Sequence, residues 1–125
     1  MHTVIKTPKA PAAIGPYSQA IGAGNLVFVS GQLGLDPNTG EMKARDLAGQ
    51  ASQALINLKA VLQAAHCDLH HVTAVDVYLV DMDDFAEFNT IYESFFNGHK
   101  PARAVVAVKA LPKNGRVEIK CVASL

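Results

Sequence analysis

An arginine and a glutamate stand almost alone in the apolar last quarter of the chain. Arg103 lies in the run opened by Pro101-Ala102, and Glu118 lies between Val117 and Ile119, with Pro112 and an Asn114-Gly115 turn between them. Arg103 is the only cation from Pro101 to Val108. A guanidinium cannot shed its proton to ease burial, so it needs a partner. Two partners are open on the residues alone. One is a protein carboxylate, giving a structural ion pair at a sheet edge. The other is the carboxylate of a small ligand, which the guanidinium fork grips through two parallel N–H donors. Glu118 admits a matching choice between pairing with Arg116 or Lys120 on a solvated strand face and, where partly desolvated, exchanging protons at a raised pKa.

Other patterns offer less. Ser30-Gly31 closes an apolar run without the surroundings of a nucleophile elbow. It reads instead as a strand end where a hydroxyl, a small residue and a free backbone amide approach a ligand. Gly15, Gly22 and Gly24 lack the spacing of a nucleotide fingerprint, and no helical pattern follows before Asp46. His66, Cys67, His70 and His71 gather at the tail of a helical stretch, where imidazoles interact with the helix dipole. No second ligand group stands at metal-site spacing, so a solvated helix end is expected and no metal.

These residues need elements to hold them. Leu47, Ala51, Ala54, Leu55, Leu58, Val61, Leu62 and Ala65 recur at steps of three and four, the stripe of an amphipathic helix with Asp46 as its N-cap. A second stripe runs through Phe85, Phe88, Ile91, Tyr92, Phe95 and Phe96, led by Asp81, Asp83 and Asp84 and stopped by Asn97-Gly98. Residues 26–30, 74–80, 104–108 and 117–122 are β-branched strand candidates, with Val75, Val77 and Leu79 sharing a face. Shorter strands are expected near 3–6 and 17–21, in a region broken by prolines and glycines. The order predicts an α+β layer with both helices on one sheet face. The other face, carrying Ala74, Tyr78 and Val80, then calls for self-association.

The bulk properties narrow the classes. At 125 residues the chain is one domain, 1–125, able to bury roughly two thirds of its unfolded surface. Half of it is hydrophobic and only 18% charged, which excludes disorder. No apolar run is long enough to span a bilayer. Eleven basic and eleven acidic residues cancel, so neither nucleic acid nor an anionic membrane is an expected partner. The N-terminal residues lack the apolar core of a secretory signal, and Cys67 and Cys121 are expected as reduced thiols, so the expected location is the cytoplasm.

Four segments, Gly15-Pro16-Tyr17-Ser18-Gln19-Ala20, Ser30-Gly31-Gln32-Leu33-Gly34, Phe88-Asn89 with Tyr92, and Arg103 through Glu118, stand in one order at compatible distances. Together they resemble the RidA (YjgF-type) family over essentially the whole length. The resemblance implies a chorismate-mutase-like mixed sheet with two helices on one face, a homotrimer, and clefts between subunits. It also implies hydrolysis, without a cofactor or metal, of reactive enamines and imines such as 2-aminoacrylate and 2-iminopropionate to 2-keto acids and ammonia. By position, Arg103 is similar to the family's carboxylate-binding arginine and Glu118 to the acid that contacts the attacking water. Tyr17, Ser30, Gly31 and Asn89 match residues lining the cleft, together with position 105. Many members carry cysteine there, where this chain has Val105, so a mechanism needing that thiol is put in doubt.

Pairing 104–108 with 117–122 as an antiparallel hairpin places Glu118 about four residues along from Arg103, on the order of 13 Å by strand rise. If both serve one site, different subunits supply them more easily. The alternative function is a non-catalytic module that binds small 2-keto acids in the same cleft. A ribonuclease reading fits poorly with the neutral charge.

Overall fold

Asp46 opens the first helix, α1 (Leu47–Ala64), by accepting the Gly49 N–H on its carboxylate, which satisfies one of the donors a helix start leaves orphaned. Its apolar stripe, Leu47, Ala51, Ala54, Leu55, Leu58, Val61 and Leu62, is fully buried. The second helix, α2 (Phe85–Phe96), buries Phe88, Tyr92 and Phe96 and ends where Asn97 turns left-handed at φ 48°. The aspartates ahead of it form a 3-10 turn over Met82–Asp84. Neither helix is long and apolar enough to cross a membrane. These elements belong to a computed structural model that describes residues 2–125.

Strands β1 (His2–Ile5), β2 (Ala20–Ala23), β3 (Leu26–Gln32), β4 (Val72–Leu79), β5 (Ala102–Ala107) and β6 (Val117–Ser124) form one sheet in the order β1-β2-β3-β6-β4-β5. Every neighbouring pair is antiparallel except β4 with β5. That pair is parallel because α2 is the crossover between them. Val75, Val77 and Leu79 of β4 and Val117, Ile119, Cys121 and Ala123 of β6 are buried beneath the helices. Each large apolar side chain so buried contributes roughly 1.5–3 kcal/mol. The opposite face carries Ala74, Asp76 and Tyr78 of β4, with Leu26, Phe28 and Val106 all more than a third exposed.

The expected hairpin between the last two strands is not formed. β4 lies between β5 and β6, and the connection through the 3-10 turn Pro112–Asn114 steps across it. The apolar β4 thereby gains a partner on each side. The strand expected near 17–21 begins only at Ala20. Before it, the Gln19 side chain holds the preceding loop, accepting the Thr7 N–H at 2.7 Å and donating to the Thr7 and Pro11 carbonyls at 3.0 and 2.8 Å.

Candidate functional site

Parallel register sets Arg103 beside Val75 and so turns it to the helix face. There its guanidinium carbon lies 4.8 Å from the centre of the Tyr92 ring and 5.9 Å from that of Phe85. Arg103 is exposed, and among the described residues no carboxylate comes within ion-pair distance of it. Asn89, Tyr92, Glu93, His99, Lys100 and Arg103 line one open groove between the end of α2 and the start of β5. Two polar atoms beneath the groove, Asn89 Oδ1 and the Tyr92 hydroxyl, are buried without a hydrogen-bond partner. Burial pushes the Tyr92 hydroxyl up to about 12, against the lowering pull of the Arg103 charge and with a smaller upward push from Cys121. The phenol therefore keeps its proton at neutral pH. Val105 follows on the same face, half-buried opposite Val77 and packed against the core.

Glu118 belongs to another neighbourhood. It lies between buried Val117 and Ile119 and opposite Tyr78, which turns it away from the helices. Gly31 sits where the β3–β6 register shifts. A Cβ on Gly31 would stand 2.8 Å from both the carboxyl carbon and Oε2 of Glu118, so only glycine admits this contact. Neither expected ion pair of Glu118 forms, since Arg116 grips Asp84 at 2.9 and 3.0 Å and Lys120 lies 4.0 Å from Asp76. Burial raises the Glu118 pKa above the ordinary value of 4.5.

Ser30 is more engaged than its sequence suggests. Its hydroxyl donates to the Ser18 carbonyl at 2.5 Å and its N–H to the Gln19 carbonyl at 2.9 Å. The Ser30 amide is therefore occupied, and of its side chain only hydroxyl lone pairs remain for a ligand. Both bonds fasten the loop that presents Tyr17, which is 54% exposed and lines a separate depression with Lys6, Ser18 and Asn38. Gly34 of the same motif packs on α1, where a Cβ would lie 2.6 Å from the Gln50 carbonyl oxygen.

Within one chain the candidates thus form two groups. Arg103 and Val105 lie on the helix side of the sheet, with Asn89 on α2; Glu118 and Gly31 lie on the other side, with Ser30 tying the Tyr17 loop beside them. Arg103 is level with Val75 and Cys121, and Glu118 with Tyr78 and Val106. Two strand spacings and three residue rises separate their Cα atoms by on the order of 14 Å, on opposite faces. Side chains do not span that path through a sheet.

Phe85 was read from sequence as core stripe, and Tyr92 as core stripe and part of a family segment without a stated role. Their contact with Arg103 follows from the β4–β5 register, which no local pattern announces. The expected helix-end histidines are engaged locally, with His71 Nδ1 accepting the Asp68 N–H at 2.9 Å. Cys67 and Cys121 are buried free thiols. Burial raises both pKa values, that of Cys121 to about 12 with a further push from Cys67.

The family model described as Endoribonuclease L-PSP matches residues 7–125. The chain is 49% identical to the 2-iminobutanoate/2-iminopropanoate deaminase of Mus musculus, over 98% of this chain and 91% of that protein. The solved structure of RidA from the Antarctic bacterium Psychrobacter sp. PAMC 21119 matches with a TM-score of 0.95 at 45% identity, covering 98% of this chain and 99% of that one. The YjgF gene product from E. coli matches with a TM-score of 0.93 at 43% identity, with 98% of each chain covered.

Proposed function

The chain belongs to the family described as Endoribonuclease L-PSP, whose members include RidA and YjgF proteins, and on that premise we propose that it hydrolyses small 2-imino acids to 2-keto acids and ammonia. The substrates are 2-iminopropionate and its enamine tautomer 2-aminoacrylate, and relatives named for 2-imino acid deamination support the choice. The observation that carries the reading is the state of Arg103, an exposed fork resting on aromatic rings with no protein carboxylate to satisfy it.

An imine carbon beside a carboxylate is already electrophilic. The protein has to hold the acid group, present one water and move protons. Arg103 binds the carboxylate through two charge-assisted hydrogen bonds, each contributing roughly 1.5–3 kcal/mol. Water adds to the imine carbon, and Glu118 takes a proton from it and returns one to the nitrogen. The carbinolamine hydroxyl then passes its proton through Glu118 to the nitrogen as the C–N bond breaks, releasing ammonia and leaving the 2-keto acid. Proton transfer of this kind is worth about 10²–10⁴ in rate, and holding the partners in line supplies much of the rest. No cofactor enters these steps, and none needs a thiol at Val105.

Because Arg103 and Glu118 face opposite ways in one chain, the reaction requires two copies. We place the site between subunits of a homotrimer, with the Arg103 groove of one copy closed by the Glu118–Gly31 ledge of the next. The exposed Leu26, Phe28 and Val106 on the open sheet face supply apolar surface for that association.

The test is to generate the imine with an amino acid oxidase and follow its decay. Acceleration by this protein that disappears in Arg103→Ala is the expected result. Absence of any acceleration overturns the reading. Calorimetric binding of a 2-keto acid without a rate effect replaces it with the non-catalytic module.

A further inference from the structure

Arg103 is held by a surface, not by an ion pair. The Tyr92 ring beneath its guanidinium is only 7% exposed. It is wedged between Phe88 and Phe96, whose ring centres lie 5.7 and 4.6 Å away. A ring held by these neighbours cannot follow a moving cation, so the cation settles on the ring. Contact through a π face engages none of the five guanidinium N–H donors. A carboxylate in the same place would have taken two of them. The Tyr92 hydroxyl, meanwhile, is buried without a partner, so the ring is the working part of this side chain.

We infer that Tyr92 is a positioning residue for acid-group recognition, its fixed ring holding the Arg103 fork in the groove with its donors unengaged and ready for a ligand carboxylate. Phe85, at 5.9 Å, borders the same seat more loosely. A carboxylate fixing Arg103 would compete with the ligand; an aromatic ring orients the cation and leaves its hydrogen-bonding capacity intact. Only the identity of the ligand rests on the imine reading above.

A double-mutant cycle with a conservative rescue tests this. Tyr92→Leu removes the π face, and Tyr92→Met does so while filling more of the core. Tyr92→Phe keeps the ring and removes only the hydroxyl. Each is titrated with pyruvate by calorimetry and assayed for imine hydrolysis, in the parent and in an Arg103→Ala background. Tyr92→Leu and Tyr92→Met are expected to weaken pyruvate binding and raise KM by about two- to thirty-fold, the span of a cation–π contact between exposed and desolvated sites, with the larger share in KM. Tyr92→Phe restores most of that loss. With Arg103 already alanine, Tyr92→Leu lowers kcat/KM no further, whereas a merely structural role lowers it by the same factor in both backgrounds. Equal losses in the two backgrounds, or a Phe variant as impaired as the Leu variant, overturn the inference. A parent that hastens imine decay alongside parent-like Leu and Met variants overturns it alone. A parent that neither binds pyruvate nor hastens decay removes the functional reading, and this inference with it.

Discussion

Arg103 near the start of β5 and Arg116 just ahead of β6 carry the same guanidinium, and the fold treats them oppositely. Arg116 grips both carboxylate oxygens of Asp84, whose side chain is 11% exposed, and its backbone N–H donates to Gln50 Oε1 at 2.7 Å. Arg103 meets rings and solvent and, among the described residues, no acid. The first arrangement is an ion pair that ties α1, the approach to α2 and the start of β6 together. The second leaves a charge whose hydrogen-bonding capacity is unfilled, at the mouth of a groove. Two identical side chains are thus told apart by what surrounds them, one fastening the fold and the other available to a ligand.

Substitutions at four positions press on that contrast, beginning with the largest effect. Arg103→Ala is expected to lower kcat/KM for imine hydrolysis by about 10²–10⁴, the worth of two charge-assisted bonds, with thermal melting close to the parent. Arg103→Lys recovers little, since the charge survives and the fork does not. Parental kcat/KM in either variant would erase the distinction between the two arginines.

Gly31→Ala comes next. Its methyl meets the Glu118 carboxyl, so kcat should fall by about tenfold to a hundredfold, while 2-keto acid affinity, governed by Arg103, is retained. Loss of binding with unchanged kcat would reverse those assignments. Arg116→Ala leaves the Asp84 carboxylate without its partner and should cost about 1–3 kcal/mol in urea denaturation, with imine kinetics unaltered. A large kinetic defect in that variant would mean that Arg116 shares the role assigned to Arg103.

The smallest effect belongs to pH. Burial raises the Glu118 pKa above 4.5, so the folded chain holds that proton more tightly than the unfolded one. The associated stability is full below pH 4.5 and is lost as pH rises through the folded pKa, above which the half-buried charge is a standing cost. Glu118→Gln, although inactive in imine hydrolysis, should remove that dependence and raise Tm at neutral pH by a few degrees at most. A Tm lower than the parent's at neutral pH would mean that the charge is stabilised by a partner.

Much of this was legible before any coordinates. The stripe from Leu47 to Ala65 and the Asp46 cap define α1, and Asn97-Gly98 ends α2, because burial and capping leave local marks. The pairing of β5 was not legible. A parallel partner reached through a helix leaves no mark in either strand, and the Asn114-Gly115 turn favoured a hairpin that β4 interrupts. The error had a consequence, since the hairpin put Arg103 and Glu118 along one ribbon, whereas the sheet sets them on opposite faces. The bonds of Ser30 were hidden for a related reason. Its donors are engaged by Ser18 and Gln19, which tertiary folding alone brings near. The family motifs named the positions; the surroundings of Ser30 and Tyr92 needed the packing.

The central claim, that one reaction draws on Arg103 of one copy and Glu118 of another, can be tested by mixing two inactive proteins. Arg103→Ala and Glu118→Gln are prepared separately, combined in equal amounts under mild denaturant, and allowed to reassemble. With random exchange in a ring, one interface in four unites an intact Arg103 with an intact Glu118, so about a quarter of the parental imine-hydrolysis rate should return. A reassembled mixture no faster than the two variants measured apart would contradict the account.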